Sequence, residues 1–390
     1  MKNVIFLLFL TFMYGCGNRS QNMKVSEIIP VNTDNVNSEA TSFIKKIEVV
    51  PLETIDSLSL MKGCRKVIFD SEMNLFVILD NRFIVYVFSA DGKFISSSEA
   101  KQGPGPEQYQ LIVDIKFNPY ENGIDLLNPY GMVYTYDKYF NFIRKKKITA
   151  NQNVFSKFIA YSKDKYMLTP PNTIDNPMVC WIDYSCDSIV GKDYYNRIIS
   201  IINMDNDAFH KVNDEYYFIP IGIDYYFYKL DMKKYQLLPF IKLDFGKEEI
   251  KEEALPGGSQ ICDSGTERSL KASYEEMQER VEYLEKSSCI LPLIKFFNEK
   301  YVYVHFIKNR KPSNYIYDRL NNEGFLQSKD APLAMPFCFC MDEDNVLYSI
   351  QEPFDLMKYV NDDFMSEETL RKIQELNEDD NPVIIKYHLW

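Results

Sequence analysis

The sequence predicts an all-β protein, a six-bladed β-propeller whose blades each contain four antiparallel strands. Two observations lead to this fold class. A unit of four short apolar runs recurs in steps of roughly 40 to 50 residues, which is the spacing of propeller blades. Two further strands, one near each end of the chain, belong to no complete unit. An aromatic content of 15% also favours strands over helices.

The first unit spans residues 65–100 and shows the pattern most clearly. Asp91 and Gly92 lie between its third and fourth apolar runs. An Asp-Gly pair in this position is a strong hairpin signal, because both residues take a positive φ at low cost. The unit is therefore typical of one antiparallel blade. Its four runs cover residues 67–69, 75–79, 83–89 and 93–98.

The sixth unit has only three strands, the last of them at residues 382–389, whereas the strand at residues 43–52 has no unit of its own. Pairing these two strands would complete the last blade. It would also remove two unpaired sheet edges from an otherwise open ring. We therefore expect a propeller over residues 43–390, closed by an N- to C-terminal clasp. The second to sixth units begin near residues 113, 155, 208, 290 and 335.

Two segments, at about 247–288 and 352–381, interrupt the β pattern with apolar residues at helical spacing. The first insertion joins the fourth blade to the fifth, and the second separates the second and third strands of the sixth blade. In a four-stranded blade both of these connections emerge on the same face. The two short helical insertions therefore form either a partial lid over the channel or a peripheral decoration.

Residues 1–16 resemble a bacterial lipoprotein signal peptide. An apolar run at residues 4–13 is too short to span a bilayer and ends at Gly15 and Cys16, as in a lipobox. We predict that Cys16 is lipidated, although a plain signal peptide remains an alternative. Residues 17–42 read as a flexible tether. Since no acidic run follows Cys16, a periplasm-facing anchor is favoured, and surface exposure stays open.

The net charge of −12 excludes general nucleic-acid binding, because an acidic protein repels phosphate backbones. We expect contact with a membrane only through the lipid anchor. The cysteines that follow Cys16 are odd in number, so at least one thiol is unpaired within the chain. Cys180 and Cys186 flank a hairpin and could pair in an oxidising periplasm, whereas Cys338 and Cys340 would pack side by side.

No sequence motif indicates a catalytic or metal site. His210, His305 and His388 lie on separate strands, and a zinc ion needs three or four converging ligands. No phosphate-binding loop and no nucleophile elbow occurs. We therefore predict no metal ion and no cofactor.

Four residues are candidates for ligand binding, because their side chains stack on or hydrogen-bond to sugars and peptides and their loops lie near the insertion-bearing rim. These candidates are Arg82, Gln102, Tyr109 and Tyr130.

Several motifs resemble those of the six-bladed β-propeller lipoproteins of Bacteroides and relatives, a family similar to NHL-repeat propellers. The resemblance is carried by VVPLET at 49–54, DGKF at 91–94, GPGPEQY at 103–109 and the closing strand from Asn381. It covers residues 43–390 and implies a propeller fold in the cell envelope. Members of this family are mostly of unassigned function, so the resemblance adds architecture more than chemistry.

The first hypothesis is a lipid-anchored periplasmic propeller that binds an envelope protein, a glycan or a peptide through its insertion-bearing face, without catalysis. The alternative is a saccharide or peptide hydrolase or lyase that acts in the channel. Paired carboxylates or clustered histidines at the channel mouth would favour the alternative. A purely scaffolding role in an envelope complex is a third possibility.

Overall fold

The computed structural model of the protein describes residues 24–33, 38–149, 154–171, 176–194, 207–256, 270–328, 331 and 333–390. Two strands come before the first complete blade, β1 (Glu27–Pro30) and β2 (Ile44–Pro51). In the ranges just given, no helix is both long enough and apolar enough to cross a membrane.

Blades 1 to 3 are antiparallel four-stranded sheets in which the strands follow one another in chain order. Every residue of the second strands of blades 1 and 2 is buried, because each blade packs against neighbours on both faces. Blade 1 contains β3 (Lys66–Asp70), β4 (Leu75–Leu79), β5 (Val85–Ser89) and β6 (Phe94–Ser97); blade 2 contains β7 (Asp114–Asn118), β8 (Gly123–Leu127), β9 (Val133–Tyr136) and β10 (Phe142–Lys146); blade 3 contains β11 (Lys157–Ala160), β12 (Lys165–Thr169), β13 (Pro177–Asp183) and β14 (Ser188–Tyr194).

Blades 4 to 6 repeat the same order and complete the ring, which confirms the predicted six-bladed propeller. The first strands of blades 1 to 4 contact one another in succession, as do those of blades 5 and 6, and the first strands therefore surround the central channel. Blade 4 contains β15 (Phe209–Val212), β16 (Glu215–Phe218), β17 (Tyr226–Asp231) and β18 (Gln236–Asp244); blade 5 contains β19 (Leu291–Phe297), β20 (Tyr301–Lys308), β21 (Lys311–Asp318) and β22 (Glu323–Ser328); blade 6 contains β23 (Cys340–Met341), β24 (Val346–Gln351), β25 (Val383–Leu389) and β2.

The two ends of the chain close the ring, as the sequence predicts. β2 is the outermost strand of blade 6 and pairs antiparallel with β25. Ile47 lies opposite Tyr387, and Val49 lies opposite Ile385. These four side chains are at most 1% exposed, so the clasp is part of the hydrophobic core. An unpaired β25 would leave a long apolar sheet edge in contact with solvent.

The tether prediction for residues 17–42 is wrong for part of that segment. β1 adds a fifth strand to blade 4 and runs parallel to β18, with Ile29 opposite Leu243. Ile29 is completely buried, and Glu27 forms an ion pair with Arg319 at 2.7 Å. A four-residue strand with one buried residue has no alternation that sequence analysis could detect. Residues 17–23 lie outside the described residues.

The N-terminal segment also contacts blade 5 before it enters blade 6. The backbone N–H of Ser38 donates to the carbonyl oxygen of Leu326 at 2.8 Å, and the Leu326 N–H returns a hydrogen bond to the Ser38 hydroxyl at 3.1 Å. Residues 24–33 and 38–51 thus contact the outer strands of three consecutive blades. We call this stretch the N-terminal girdle.

Both insertions lie on one face, as predicted, because one follows β18 and the other follows β24 in sheets with the same strand order. We call this the insertion face and the opposite side, which carries the turns between first and second strands, the turn face. The first insertion contains 3₁₀ turns at Gly246–Glu248 and Glu252–Ala254 and then α1 (Leu270–Lys286); the second contains 3₁₀ turns at Pro353–Lys358 and Asp362–Phe364 and then α2 (Glu367–Gln374).

α2 decorates the periphery and does not cover the channel, so the lid interpretation is wrong for this helix. Its N-cap is Ser366, whose hydroxyl accepts a hydrogen bond from the Thr369 N–H at 3.2 Å. The helix contacts β2, the outermost strand of blade 6. It therefore covers an edge strand that would otherwise be open to solvent.

All six cysteines in the described ranges are free thiols. Cys180 is buried in β13, whereas Cys186 is exposed in the turn that follows this strand. The predicted pairing of Cys180 with Cys186 is therefore wrong, because one side chain packs in the core and the other points to solvent. Cys16 and Cys262 lie outside the described residues.

Candidate functional site

Charged residues occupy equivalent positions at the start of three innermost strands. Lys66, Asp114 and Lys157 are the first residues of β3, β7 and β11, in blades 1, 2 and 3. All three are buried. The Lys66 ammonium lies 2.5 Å from Asp114, and the Lys157 ammonium lies 3.8 Å from the same carboxylate. Asp114 also accepts a hydrogen bond from the Phe158 N–H at 3.2 Å.

A second carboxylate carries this network across the channel. Asp207 precedes the first strand of blade 4 and forms ion pairs with Lys66 of blade 1 and Lys116 of blade 2. The Lys116 ammonium lies 2.8 Å from Asp207 and donates to the Phe209 carbonyl oxygen at 3.1 Å. Blades 1 and 4 face each other in a six-bladed ring, so the pair between Lys66 and Asp207 must cross its centre. We call these groups the channel network.

Burial and ion pairing determine the charge states in the channel network. Burial disfavours the charge on Lys66, but Asp114 and Asp207 together raise the pKa of its ammonium above the usual value. Burial would raise the pKa of Asp207, yet Lys116 and Lys66 hold it well below the usual value. For Lys116, burial prevails and lowers the pKa of the ammonium. Burial also lowers the pKa of His210 to about 4, so this imidazole is neutral at pH 7.

The channel opens on the turn face into a cavity of about 390 Å³. Its wall consists of the turns between the first and second strands of blades 1, 4, 5 and 6. His210 and Cys340 also line it. His210 connects the cavity to the channel network, because its Nε2 lies 3.3 Å from the Asp207 carbonyl oxygen. The cavity therefore lies next to the channel network. The carboxylates of its lining are Asp70, Glu72, Glu299, Asp342 and Glu343.

Hydrogen bonds between neighbouring turns hold the rim of this cavity in place. The Asn298 amide donates to the Asp342 carbonyl oxygen and to Asn345 Oδ1, both at 2.9 Å, and so joins blade 5 to blade 6. Asp342 in turn accepts from the Val346 N–H at 2.9 Å and from the Tyr348 hydroxyl at 2.6 Å. A rim fixed in this way loses little conformational entropy when a ligand binds.

The family model described as "Domain of unknown function (DUF4934)" matches residues 26–388, which include nearly all of the propeller. The chain belongs to the DUF4934 family. None of the curated proteins compared with this DUF4934 chain matches it.

Solved structures show what the DUF4934 chain is similar to. A crystal structure from Bacteroides fragilis NCTC 9343, described as a "Putative exported protein", has a TM-score of 0.70 and 16% identity over 93% of this chain and 99% of that chain. At this identity the similarity shows the fold alone. The WD40 repeats of RRP9 reach a TM-score of 0.42 at 10% identity, over 91% of this chain and 99% of that chain. The structure of U3-55K reaches 0.41 at 8%, over 79% and 78%. TM-scores below 0.5 are too low to indicate that this chain shares the fold or function of those two proteins.

Arg82 and Gln102 of the DUF4934 chain hold loops together near the insertion face. Arg82 Nε lies 2.8 Å from the Asp80 carboxylate, and a second guanidinium nitrogen donates to the Leu60 carbonyl oxygen at 3.1 Å. The Gln102 amide donates to the Arg82 carbonyl oxygen at 3.0 Å. The structure therefore brings these two predicted residues together. Ligand binding by them stays a prediction.

Tyr109 is completely buried, so the prediction that it contacts a ligand at the rim is wrong. Its hydroxyl donates to the Phe83 carbonyl oxygen at 2.9 Å and shares a hydrogen bond with the Ser98 hydroxyl. Tyr130, in contrast, is 69% exposed in the loop between β8 and β9. Binding through Tyr130 stays a prediction, and Cys16 lies outside the described residues.

The three histidines occupy separate environments in the DUF4934 fold. His305 Nδ1 lies 2.8 Å from Asn314 Oδ1, and His388 Nε2 lies 3.3 Å from a Glu48 carboxylate oxygen. His210 lies beside the channel network. Within the described ranges, no group of three His, Cys, Asp or Glu side chains is arranged to hold a metal ion.

Neither the channel network nor the cavity was predicted from the sequence. A signal for the network was present, since Lys66, Asp114 and Lys157 stand at the same position of three successive repeats. Aligning the repeats by their first strands would have shown charged residues where strands of the core usually carry apolar ones. The cavity had no such signal, because charged residues are ordinary in β-turns.

Proposed function

We propose that this DUF4934 propeller is a lipid-anchored binding protein of the cell envelope that takes part of a glycan or peptide ligand, or a loop of an envelope protein, into the turn-face cavity without catalysis. The cavity carries the proposal. Its volume falls within the range of roughly 300 to 1,000 Å³ that is typical of ligand sites, and its rim is fixed by hydrogen bonds.

This proposal moves the ligand from the insertion face, where the sequence analysis expected it, to the turn face. α2 packs on the outermost strand of blade 6, far from the channel axis, whereas four turns surround the channel mouth on the other side. A site formed by several blades is also selective, because its shape depends on the whole ring.

An envelope location is supported by the apolar N-terminal run that ends at Cys16 and by a structural neighbour described as exported. We include lipidation of Cys16 and the likeness to NHL-repeat propellers in the proposal. Intact-mass measurement of the mature protein tests the anchor. A diacylglyceryl group on an N-terminal Cys16 supports it, and an unmodified protein contradicts it.

The test of binding fills the cavity while leaving its charges unchanged. Ser71 lines the cavity and is exposed, so Ser71→Trp places an indole in the mouth. Ser57→Trp makes the same change at an exposed position outside this cavity and serves as the matched control. Wild type and both variants are screened against glycan and peptide arrays.

We expect ligands that bind the wild type and Ser57→Trp to lose binding to Ser71→Trp. Ligands retained by Ser71→Trp, or no ligand at all, would overturn the proposal. Mass spectrometry of each bound ligand after incubation tests the absence of catalysis, since cleavage products would instead support a hydrolase or lyase.

A further inference from the structure

We infer that the ligand of the turn-face cavity is a peptide segment that presents a lysine or arginine side chain. This inference rests on the proposed function, because it concerns the same cavity. The shape of the cavity does not specify the charge or the chemical class of the ligand, and this inference assigns both.

Negative charge dominates the cavity lining. Five carboxylates face two lysines there, and the nearby His210 is neutral at pH 7. Glu72 and Glu343 are exposed on the rim and make no hydrogen bond or ion pair within the described part of the chain. No direct contact neutralises these two carboxylates, and the Lys211 ammonium acts on Glu72 only from beyond ion-pair distance.

The two lysines of the lining already have partners. The Lys211 ammonium lies 2.7 Å from the Asp214 carboxylate, and this ion pair raises the pKa of the lysine. The Lys300 ammonium donates to the Trp390 carbonyl oxygen at 2.5 Å and lies 3.9 Å from Asp318. Each lysine is therefore held by another partner, and neither forms an ion pair with Glu72 or Glu343.

The channel network beneath the cavity does not reverse this balance. Its three lysines face two aspartates, which leaves one positive charge, fewer than the excess of carboxylates at the mouth. These lysines are also held in ion pairs with Asp114 or Asp207. The net charge of −12 for the whole chain attracts cations in addition.

Peptide is favoured over glycan because the lining presents no fully exposed aromatic ring. Its two aromatic side chains are Phe69 and Phe297. Phe69 packs on Phe76 with ring centroids 4.7 Å apart, and Phe297 packs on Tyr217 at 4.9 Å. Sugars commonly stack on an exposed ring, whereas a guanidinium or ammonium group needs carboxylates such as those at this rim.

The inference is tested with two capped peptides of equal length, three repeats of Gly-Arg and three repeats of Gly-Gln. Calorimetry at low and at moderate salt measures their affinity for the wild type and two double variants. Glu72→Gln with Glu343→Gln removes two charges from the rim. Glu367→Gln with Glu378→Gln removes two exposed charges from the second insertion and is the matched control.

We expect the arginine peptide to bind the wild type and the control double variant, and to bind the rim double variant roughly fivefold or more weakly. The difference in affinity between the wild type and the rim double variant should diminish as salt is added. Ser71→Trp should abolish binding. The glutamine peptide should not bind.

Other outcomes separate this inference from the proposed function. An equal loss of affinity in both double variants would show attraction by net charge alone and overturn the inference. A neutral glycan that binds the wild type and the rim double variant, but not Ser71→Trp, would overturn the inference and support the proposed function. Binding of no ligand at the cavity would overturn both.

Discussion

The channel network shows how single buried charges can select one arrangement of blades. An unpaired charge is costly inside a protein, and removing one partner of a buried ion pair typically costs about 3–5 kcal/mol. Lys66 satisfies Asp114 of blade 2 and Asp207 of blade 4 at the same time. In a ring with a different order or number of blades, Lys66 would not lie between these two carboxylates.

His210 gives the fold a pH dependence with a defined sign. Burial lowers its pKa from 6.5 to about 4, and the charged groups facing it are Asp207, Lys116 and Lys66. Between pH 6.5 and 4 the unfolded chain therefore binds a proton that the folded protein does not. The neutral His210 therefore makes its full contribution to the free energy of unfolding above pH 6.5. This contribution is lost progressively as the pH falls from 6.5 to 4.

We predict that His210→Gln reduces this fall. Urea midpoints at pH 7, 5.5 and 4 measure it for both proteins. The variant should keep some pH dependence, because burial also lowers the pKa of His305. An identical pH dependence in wild type and variant would contradict the argument.

The sequence could predict the residues that form turns but not those that form the site. Asp91 and Gly92 indicate their hairpin locally, although only Gly92 takes the expected positive φ, of 88°. The role of Lys66 and Asp207 depends on an ion pair between residues far apart in sequence, which no local pattern shows. Tyr109 was misjudged for the same reason, since a tyrosine in a glycine-rich loop gives no local indication that it will be buried.

At the scale of elements, the strands and α2 were predictable and β1 was not. Leu370, Ile373 and Leu376 recur at helical spacing; the first two lie in α2, which Ser366 caps, and Leu376 lies just beyond its end. β1 depends instead on hydrogen bonds to β18 and on one buried side chain. A strand that is stabilised by pairing with its neighbour, and that has no alternation of apolar and polar residues, cannot be detected from sequence periodicity.

β1 contributes to stability through Ile29 in particular. Ile29→Ala should lower the free energy of unfolding by about 2–4 kcal/mol, because this side chain is completely buried. Ile28→Ala is the matched control, since the neighbouring side chain is 58% exposed and should change stability by less than about 0.5 kcal/mol. Urea denaturation measures both. Equal effects would show that β1 does not pack on blade 4 as described.

At the scale of the whole molecule, the clasp between β2 and β25 joins the first and last blades into a closed ring. Each blade packs against both neighbours, so the loss of pairing between two strands lowers the stability of the whole propeller. This arrangement follows from the sequence because only two strands lacked a complete blade. The position of the functional cavity did not follow, because it depends on how four blades meet.

Val49→Asp tests the clasp. Val49 is 1% exposed and lies opposite Ile385, so an aspartate there is buried without a partner and should cost more than about 4 kcal/mol. Lys45→Asp introduces the same residue at an exposed position of the same strand and should have a small effect. Thermal unfolding followed by circular dichroism compares them. A similar midpoint for both variants would contradict a closed ring.

The N-terminal girdle links the order of synthesis to the order of assembly. β2 precedes blade 1 in the chain, yet it completes blade 6 by pairing with β25, which follows it by more than 300 residues. Blade 6 therefore cannot be completed until β25 has been synthesised. Until then β2 has no partner strand, and the apolar side chains that it later buries stay exposed to solvent.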